Sequence, residues 1–301
     1  MKKSYFPIKF GNLKTLKYHN DTITSMSIFP LGNIISVSLD KSIVIWDKHF
    51  SIIQSITNAH KGAITDVCIK DENNFMTCST YIQTWIKKKN KFKPNKIIYS
   101  IDEDIFKKIL YFKKKNIISI SYENIIIWEE TKNMEYQYTT IIKNLESIES
   151  ILLLEDKNLF ISSGWSGTGF FNINNFELII FFPNFKCYCK EGMKKLDNDK
   201  IIFGEGNIIK IVSINNKKII KIIKNVDCKI ICVIQEKNIF LIGGYEIGKY
   251  FKSIKIYSCN NYQLIKNINC VHEGEICGFI DLNNNCVGSY SEDETIKIWS
   301  L

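Results

Sequence analysis

Short apolar runs alternate with polar turns along the whole chain, and this pattern predicts β-strands. Four of the five tryptophans close a run of β-branched residues, in the segments "SIVIW", "YIQTW", "NIIIW" and "TIKIW". β-branched and aromatic residues favour extended backbone. Apolar residues nowhere recur at the spacing of an amphipathic helix, so we expect strands and turns almost throughout.

The tryptophans mark an internal repeat. Trp46, Trp85, Trp128 and Trp299 end the clear copies, and weaker copies place Phe171 (to within one residue), Val212 and Tyr257 at the equivalent position. Successive marked positions are about 42 residues apart, which is the length of one four-stranded propeller blade.

A second marker follows the same repeat. A polar turn ending in Asn precedes an apolar strand in six units, and Lys200 takes this place in the seventh. The six asparagines are Asn33, Asn74, Asn116, Asn158, Asn238 and Asn285. Asn tolerates left-handed backbone better than other non-glycine residues, so these asparagines are expected in tight turns between strands.

The repeats predict an all-β fold, a seven-bladed β-propeller with four-stranded antiparallel blades, as one domain over residues 1–301. The last unit ends with the chain shortly after Trp299, and the strand-like segment "FPIKFGNLKTLKY" before His19 belongs to no preceding unit. We therefore expect this N-terminal segment to supply the outer strand of the last blade and to close the ring.

The best-preserved copies are "SVSLDKSIVIWD" near the start and "SYSEDETIKIWS" at the end. Together with a preceding His, they resemble the WD-repeat (β-transducin repeat) family, and the resemblance extends over the whole chain. It is specific in the first and last units and degenerate in units three to six. Only Trp46-Asp47 spells the family dipeptide, and no subfamily is identified.

The resemblance implies a buried polar tetrad in which the Trp indole, a Ser or Thr, a His and an Asp are hydrogen-bonded in series. Unit one offers His19, Ser36 or Ser38, Asp40 and Trp46; unit seven offers His272, Ser289 or Ser291, Asp293 and Trp299. Unit two keeps only His60 and Trp85. Units three to six lack the His, so the tetrad is not carried over to them.

This assignment leaves few histidines or cysteines that could serve as catalytic residues. Three of the four histidines take structural positions, and we expect the fourth, His49, on the surface. The cysteines include no CxxC pair, so we expect reduced, mostly buried thiols and neither a metal site nor a cofactor. The glycines in "SSGWSGTG" indicate a turn and not a phosphate loop, because no helix follows them.

The net charge is +9, and every basic residue is a lysine. In WD-repeat propellers the top face carries the loops before each first strand and between the second and third strands. Acidic residues dominate the segments predicted for this face, whereas two lysine runs fall on the opposite, bottom face. These runs contain Lys87, Lys88, Lys89, Lys113, Lys114 and Lys115. The alternative explanation of the runs is a solvated surface shaped by a compositional bias toward lysine.

We expect a non-catalytic scaffold or adaptor, a subunit of a protein complex that binds other proteins, with a basic peptide as a candidate ligand of the top face. Trp165 is either an exposed anchor there or packed between blades. The candidate partner-binding residues of the top face are Thr24, Thr65, Phe106, Glu149, Trp165, Lys190, Cys277 and Glu292.

The alternative is association with nucleic acid, ribosomes or acidic membranes through the lysine runs. Without arginine the chain cannot form the bidentate guanidinium contacts that many phosphate and guanine sites use. No secretory signal or membrane-spanning segment is evident, so we expect an intracellular protein of the cytoplasm or nucleus. An enzyme would need convergent acids, histidines or a metal, which the repeats do not provide.

Overall fold

The computed structural model describes residues 10–100, 104–113, 115–131, 135–143, 147–226, 230–244, 253–269, 271–283 and 285–301. The strands of the first half of this chain are β1 (Gly11–Lys17), β2 (Ile23–Ile28), β3 (Ile34–Ser38), β4 (Ile43–Trp46), β5 (Ile52–Ile56), β6 (Asp66–Asp71), β7 (Asn74–Cys78), β8 (Tyr81–Lys88), β9 (Lys91–Tyr99), β10 (Lys108–Phe112), β11 (Asn116–Ile120), β12 (Ile125–Glu130) and β13 (Tyr136–Ile142). The strands of the second half are β14 (Ile148–Leu154), β15 (Leu159–Gly164), β16 (Thr168–Asn172), β17 (Leu178–Phe182), β18 (Met193–Lys195), β19 (Lys200–Glu205), β20 (Ile208–Ser213), β21 (Lys218–Lys224), β22 (Ile230–Ile234), β23 (Ile239–Gly244), β24 (Ser253–Ser258), β25 (Leu264–Ile268), β26 (Ile276–Asp281), β27 (Cys286–Ser291) and β28 (Thr295–Ser300). Two single 3₁₀ turns, Glu155–Lys157 and Gln235–Lys237, are the helical segments of the described chain.

The strands form seven four-stranded antiparallel sheets, and the predicted seven-bladed propeller is confirmed. Blades 1 to 6 each consist of four consecutive strands, beginning with β2, β6, β10, β14, β18 and β22. The first strand of each blade is innermost and lies beside the first strands of neighbouring blades. The top face and the bottom face are therefore the two rings of loops at the ends of these sheets.

Blade 7 closes the ring as expected. It combines β26, β27 and β28 with β1, which pairs antiparallel with β28 from Gly11 opposite Ser300 to Lys17 opposite Thr295. Phe10 stacks on Trp299 with ring centroids 5.1 Å apart, and Leu16 is buried. The seam thus depends on strand pairing and apolar packing between distant parts of the chain.

Each interface between blades is an apolar cluster drawn from both neighbours. Between blades 1 and 2, for example, Ile35 and Val37 pack with Phe75 and Trp85. Interior strands are buried on both faces, which explains why the sequence shows nearly continuous apolar runs instead of strict alternation. Burying such a side chain contributes roughly 1.5–3 kcal/mol, so these interfaces are the main source of stability.

All seven marked positions occupy equivalent places in the structure. Each lies on the third strand of its blade, opposite the residue that begins or nearly begins the second strand. Where the tryptophan is absent, another ring can replace its packing: Phe171 stacks on Phe160 at 4.8 Å and Tyr257 on Phe240 at 5.3 Å.

The predicted left-handed asparagines are correct in part. Asn158, Asn238 and Asn285 have positive φ angles of 53°, 52° and 60°. Asn33, Asn74 and Asn116 do not have positive φ angles. In blade 1 the left-handed residue of the turn is Gly32, with a φ of 94°. In blade 3 it is Lys113, with a φ of 47°.

Candidate functional site

Polar residues at the top of blades 1 and 7 form the hydrogen-bonded series that the two clear repeats predict. In blade 7, Trp299 Nε1 donates to Ser289 Oγ at 2.8 Å, and His272 Nε2 lies 2.7 Å from the same oxygen. His272 Nδ1 lies 2.8 Å from Asp293 Oδ2. Because the carboxylate can only accept, Nδ1 carries the proton and Nε2 accepts from the serine hydroxyl.

Blade 1 repeats this arrangement with one difference. Trp46 Nε1 donates to Ser36 Oγ at 3.0 Å, and His19 Nε2 lies 2.8 Å from that oxygen. Here His19 Nδ1 is closer to Ser42 Oγ (2.7 Å) than to Asp40 Oδ2 (3.3 Å).

In each clear unit the sequence offered two serines for the position between tryptophan and histidine, and the structure gives the two serines different roles. Ser36 and Ser289 join the tryptophan to the histidine. Ser38 and Ser291 instead accept the backbone N–H of Asp40 and Asp293, at 3.1 Å each. They therefore hold the tight turn in which the aspartate sits.

The aspartates of these turns are ionised over the whole physiological range. Partial burial opposes ionisation, but hydrogen bonds from His19 and Ser42 hold the pKa of Asp40 well below its usual value. Likewise, His272 and Thr295 more than offset the effect of burial and lower the pKa of Asp293. Neither carboxylate has the raised pKa that a general acid requires.

Blades 2 and 3 keep progressively less of this arrangement. In blade 2, Trp85 Nε1 donates to Thr77 Oγ1 at 2.8 Å, and His60 Nε2 lies 2.7 Å from that oxygen. With no aspartate, His60 Nδ1 lacks a hydrogen-bond partner among the described residues, and the ring stacks on Tyr81 at 4.7 Å. Burial lowers the pKa of His60 to about 4, so this histidine is neutral.

Blade 3 retains a pair that sequence reasoning missed. Trp128 Nε1 donates to buried Ser119 Oγ at 2.8 Å, although the blade has no histidine. The spacing between serine and tryptophan could have revealed this pair, since Ser119 lies near the tryptophan slot as Ser36 and Ser289 do in their units.

The top of the central channel is crossed by an ion pair that spans the ring. Lys190, in the loop before β18 of blade 5, contacts Asp66 of blade 2 at 2.5 Å and donates to the Thr65 carbonyl at 2.8 Å. Asp66 also accepts hydrogen bonds from Ser25 Oγ (2.7 Å) and the Ile109 backbone N–H (3.0 Å). Its side chain is only 4% exposed.

Glu191 and the backbone of Lys190 bond the same loop to further blades. Lys108 of blade 3 contacts Glu191 Oε1 at 2.9 Å, and Ser150 of blade 4 donates to the Lys190 carbonyl at 3.0 Å. The backbone N–H of Ile231, in blade 6, donates to the Glu191 carbonyl at 2.9 Å. The loop at residues 189–192, here named the channel loop, is thus bonded to blades 2, 3, 4 and 6.

The charges of the channel loop stabilise one another. Burial disfavours a charged carboxylate, but the ammonium groups of Lys108 and Lys194 hold the pKa of Glu191 well below its usual range. Burial likewise disfavours charged Lys194, and contact with Glu191 raises its pKa above the usual value. A partner peptide cannot use these groups without breaking the bonds that hold the loop.

Most of the residues expected at the channel mouth are already engaged. Thr24 donates to the Ile64 carbonyl at 2.7 Å, and Thr65 donates to the Phe106 carbonyl. Phe106 itself is fully buried against Trp128, so it offers no surface to a partner. Its ring packs in the apolar cluster between blades 2 and 3, with Met76 and Ile126.

Three further candidates differ in exposure. Glu149 forms an ion pair with Lys107 at 2.8 Å and accepts a hydrogen bond from Ser147 Oγ. Cys277 is half-buried, and burial together with Glu292 raises the pKa of its thiol to about 12, so it is an inert thiol. Glu292 is exposed.

Trp165 is an exposed side chain on the top face, with 56% of its surface accessible. It contacts Tyr188 edge to face at 4.9 Å, and its backbone N–H donates to the Ser147 carbonyl at 3.3 Å. Nearby, Tyr122 is 61% exposed beneath the Lys107 ammonium, which lies 3.9 Å from the ring centroid. We name Tyr122, Trp165 and Tyr188 the aromatic top surface; sequence reasoning missed the two tyrosines.

Glycines hold the Trp165 turn in place. Gly167 has a φ of 143°, which residues with a side chain rarely adopt, and a Cβ on Gly164 would lie 2.1 Å from the Ser147 carbonyl oxygen. The turn therefore packs directly on the backbone of the preceding loop. This close approach fixes the backbone position of Trp165.

The lysine runs on the bottom face behave differently from each other. Lys88, Lys89, Lys91 and Lys93 lie exposed on the β8–β9 hairpin, whose turn residues Lys89 and Asn90 both have positive φ. Lys87 lies over the Phe92 ring at 5.7 Å.

In the second run, Lys113 Nζ donates to Asn174 Oδ1 at 2.7 Å. Lys115 is exposed. Lys114 lies outside the described residues.

Among the described residues, no three His, Cys, Asp or Glu side chains come together in a group that could hold a metal ion. Within the same residues, no helix is long and apolar enough to cross a membrane.

The described cysteines are free thiols, and burial raises the pKa of Cys68, Cys187 and Cys232 to about 12.

Comparison with known proteins agrees with this geometry. The family model described as "WD domain, G-beta repeat" matches residues 10–47, which contain the complete polar series of blade 1. Among curated proteins, no sequence matches the chain.

Proposed function

Since the chain is a WD-repeat protein, we propose that it is a non-catalytic scaffold that binds a partner protein on the aromatic top surface. WD-repeat propellers generally serve as protein-interaction scaffolds. The observation that carries the proposal is the exposed Trp165, held in a glycine-restricted turn beside Tyr188. Tryptophan and tyrosine are the side chains most often found at the energetic centre of protein interfaces.

The polar groups around this surface favour a partner with basic and aromatic or aliphatic residues. Exposed Glu123 lies beside Tyr122, and the carboxylates Glu149 and Glu205 are next to the surface, each paired with a lysine. A partner lysine or arginine can share such a carboxylate and stack on the rings. The channel loop is bonded to four other blades at the top of the channel, so the partner would lie across the top loops.

The buried polar series supports a non-catalytic role. His19, His60 and His272 are all buried and bonded within their blades. Their loss would weaken the fold rather than a reaction. The free thiols support a reducing compartment, the cytoplasm or the nucleus, because disulfides are rare there.

The test is capture of partners from native cells by proximity labelling and mass spectrometry. We expect Trp165→Ala combined with Tyr188→Ala to lose the principal partners while the melting temperature stays near that of wild type. Leu31→Ala is the matched control, since Leu31 is an exposed apolar side chain on the bottom face. An unchanged set of partners in a folded double variant would contradict the proposal.

A second candidate function rests on the exposed lysines of the β8–β9 hairpin, which suit a polyanionic surface of nucleic acid or acidic lipid. Binding of this kind weakens steeply with salt, because it releases counterions from the polyanion. Lys88→Glu with Lys89→Glu and Lys91→Glu should abolish retention on RNA or on phosphatidylserine vesicles at low salt. Retention equal to that of wild type would exclude the hairpin.

A further inference from the structure

The outer strand of blade 5, β21, has the sequence "KIIKIIK" and is exposed along nearly its whole length. Ile219, Ile220 and Ile222 are 37%, 48% and 41% exposed. With seven residues, β21 is as long as the outer strands β1 and β13, shorter than β9, and longer than β5, β17 and β25, which have five each. Exposed isoleucines on a long strand are unusual unless something covers them.

One backbone edge of β21 is open. Its residues pair with β20 from Lys218 opposite Ser213 to Lys224 opposite Ile208, and among the described residues no strand pairs with its other edge. An open edge presents alternating N–H and C=O groups that can bond to an added strand.

The charges along β21 are of one sign. Lys218, Lys221 and Lys224 are exposed, and none of them forms an ion pair within the described residues. Neither β21 nor its partner β20 contains an acidic residue. A second copy of the strand would bring lysines against lysines, which disfavours self-association through this edge.

We propose that β21 is a docking edge for an acidic, extended segment of a partner protein, which adds to blade 5 as a fifth strand. Carboxylates of the segment would pair with Lys218, Lys221 and Lys224, and its apolar side chains would cover Ile220 and Ile222. Main-chain hydrogen bonds provide affinity in this mode of recognition, and side-chain pairing selects the partner. This surface is separate from the aromatic top surface.

The test uses a fluorescein-labelled peptide of sequence Glu-Val-Val-Glu-Val-Val-Glu, as long as β21, which places a Glu opposite each lysine and Val opposite the isoleucines. Fluorescence anisotropy is the readout. Lys218→Glu, Lys221→Glu and Lys224→Glu together should weaken binding at least about tenfold. The matched control is Lys88→Glu, Lys89→Glu and Lys91→Glu, which makes the same change in net charge on the β8–β9 hairpin and should weaken binding much less. Circular dichroism checks that both variants are folded.

Two further arms separate strand addition from simple charge attraction. The same peptide with a methylated backbone cannot donate hydrogen bonds, and its binding should be lost. Trp165→Ala should leave peptide binding unchanged, so this inference and the proposed top-face function can fail independently. Equal weakening by the two charge reversals, full binding of the methylated peptide or no binding of the parent peptide by wild type would each overturn the inference.

Discussion

Replacing Asp66 with alanine removes two hydrogen bonds and one ion pair at once from the top of the central channel. Ser25 Oγ and the Ile109 N–H lose their acceptor, and Lys190 Nζ loses its counter-ion, in a site where the carboxylate is 4% exposed. Breaking a buried ion pair by removing one partner typically costs about 3–5 kcal/mol. At about 2 °C per kcal/mol for a large domain, the melting temperature should fall by at least about 6 °C.

A double-mutant cycle measures how much of this loss of stability comes from the interaction between Asp66 and Lys190. Lys190→Met removes the charge and keeps the apolar stem, and Asp66→Ala with Lys190→Met removes both charges. We expect the double variant to be more stable than the sum of the single losses predicts, by about 1 kcal/mol or more. Chemical denaturation followed by tryptophan fluorescence gives the free energies. Additive losses, or a shift below about 1 °C for Asp66→Ala, would refute the role assigned to the channel loop.

Two other predictions concern the seam and the histidines. Deleting residues 1–17 removes β1 and exposes Trp299 and Ile296, so the free energy of unfolding should fall by about 3 kcal/mol or more. An unchanged melting temperature in calorimetry would show that β1 does not close the ring. Burial lowers the pKa of His60 from 6.5 to about 4 in the folded protein, so as the pH falls the unfolded chain binds this proton before the folded protein does. The free energy of unfolding therefore decreases as the pH drops from 6.5 to about 4, by up to about 3 kcal/mol. His60→Gln should flatten the melting temperature between pH 7 and about pH 4.5, and an unaltered profile would contradict the assignment.

The fold was predictable because each repeat has its own recognisable pattern of apolar and polar residues within about 42 positions. Each blade must present the same packing surface to its neighbours, so an aromatic or β-branched residue returns at every marked position, as at Trp46, Phe171 and Tyr257. The seam was predictable for the same reason, since the last unit lacked a fourth strand and the first segment lacked a sheet. The choice of Ser36 over Ser38 needed coordinates, because the two serines lie two residues apart on the same buried strand, β3.

The candidate site was predicted much less completely, because it depends on contacts between distant blades. Lys190 and Asp66 are far apart in sequence, and no periodic pattern relates a loop lysine in one blade to a strand aspartate in another. Phe106 was predicted at the channel mouth from the loop order of the family, and the structure places its ring in the apolar cluster between blades 2 and 3, fully buried. Tyr188 contacts Trp165 from another blade, and Tyr122 lies on a third top loop, so no spacing in the sequence relates the three rings.

Hydrogen–deuterium exchange on the complex with a captured partner tests the central claim most directly. Protection should appear in the loops that carry Tyr122, Trp165 and Tyr188, while the β8–β9 hairpin on the bottom face exchanges as in the free protein. Protection confined to the bottom face, with the three top loops unchanged, would contradict the assignment of the aromatic top surface as the binding site.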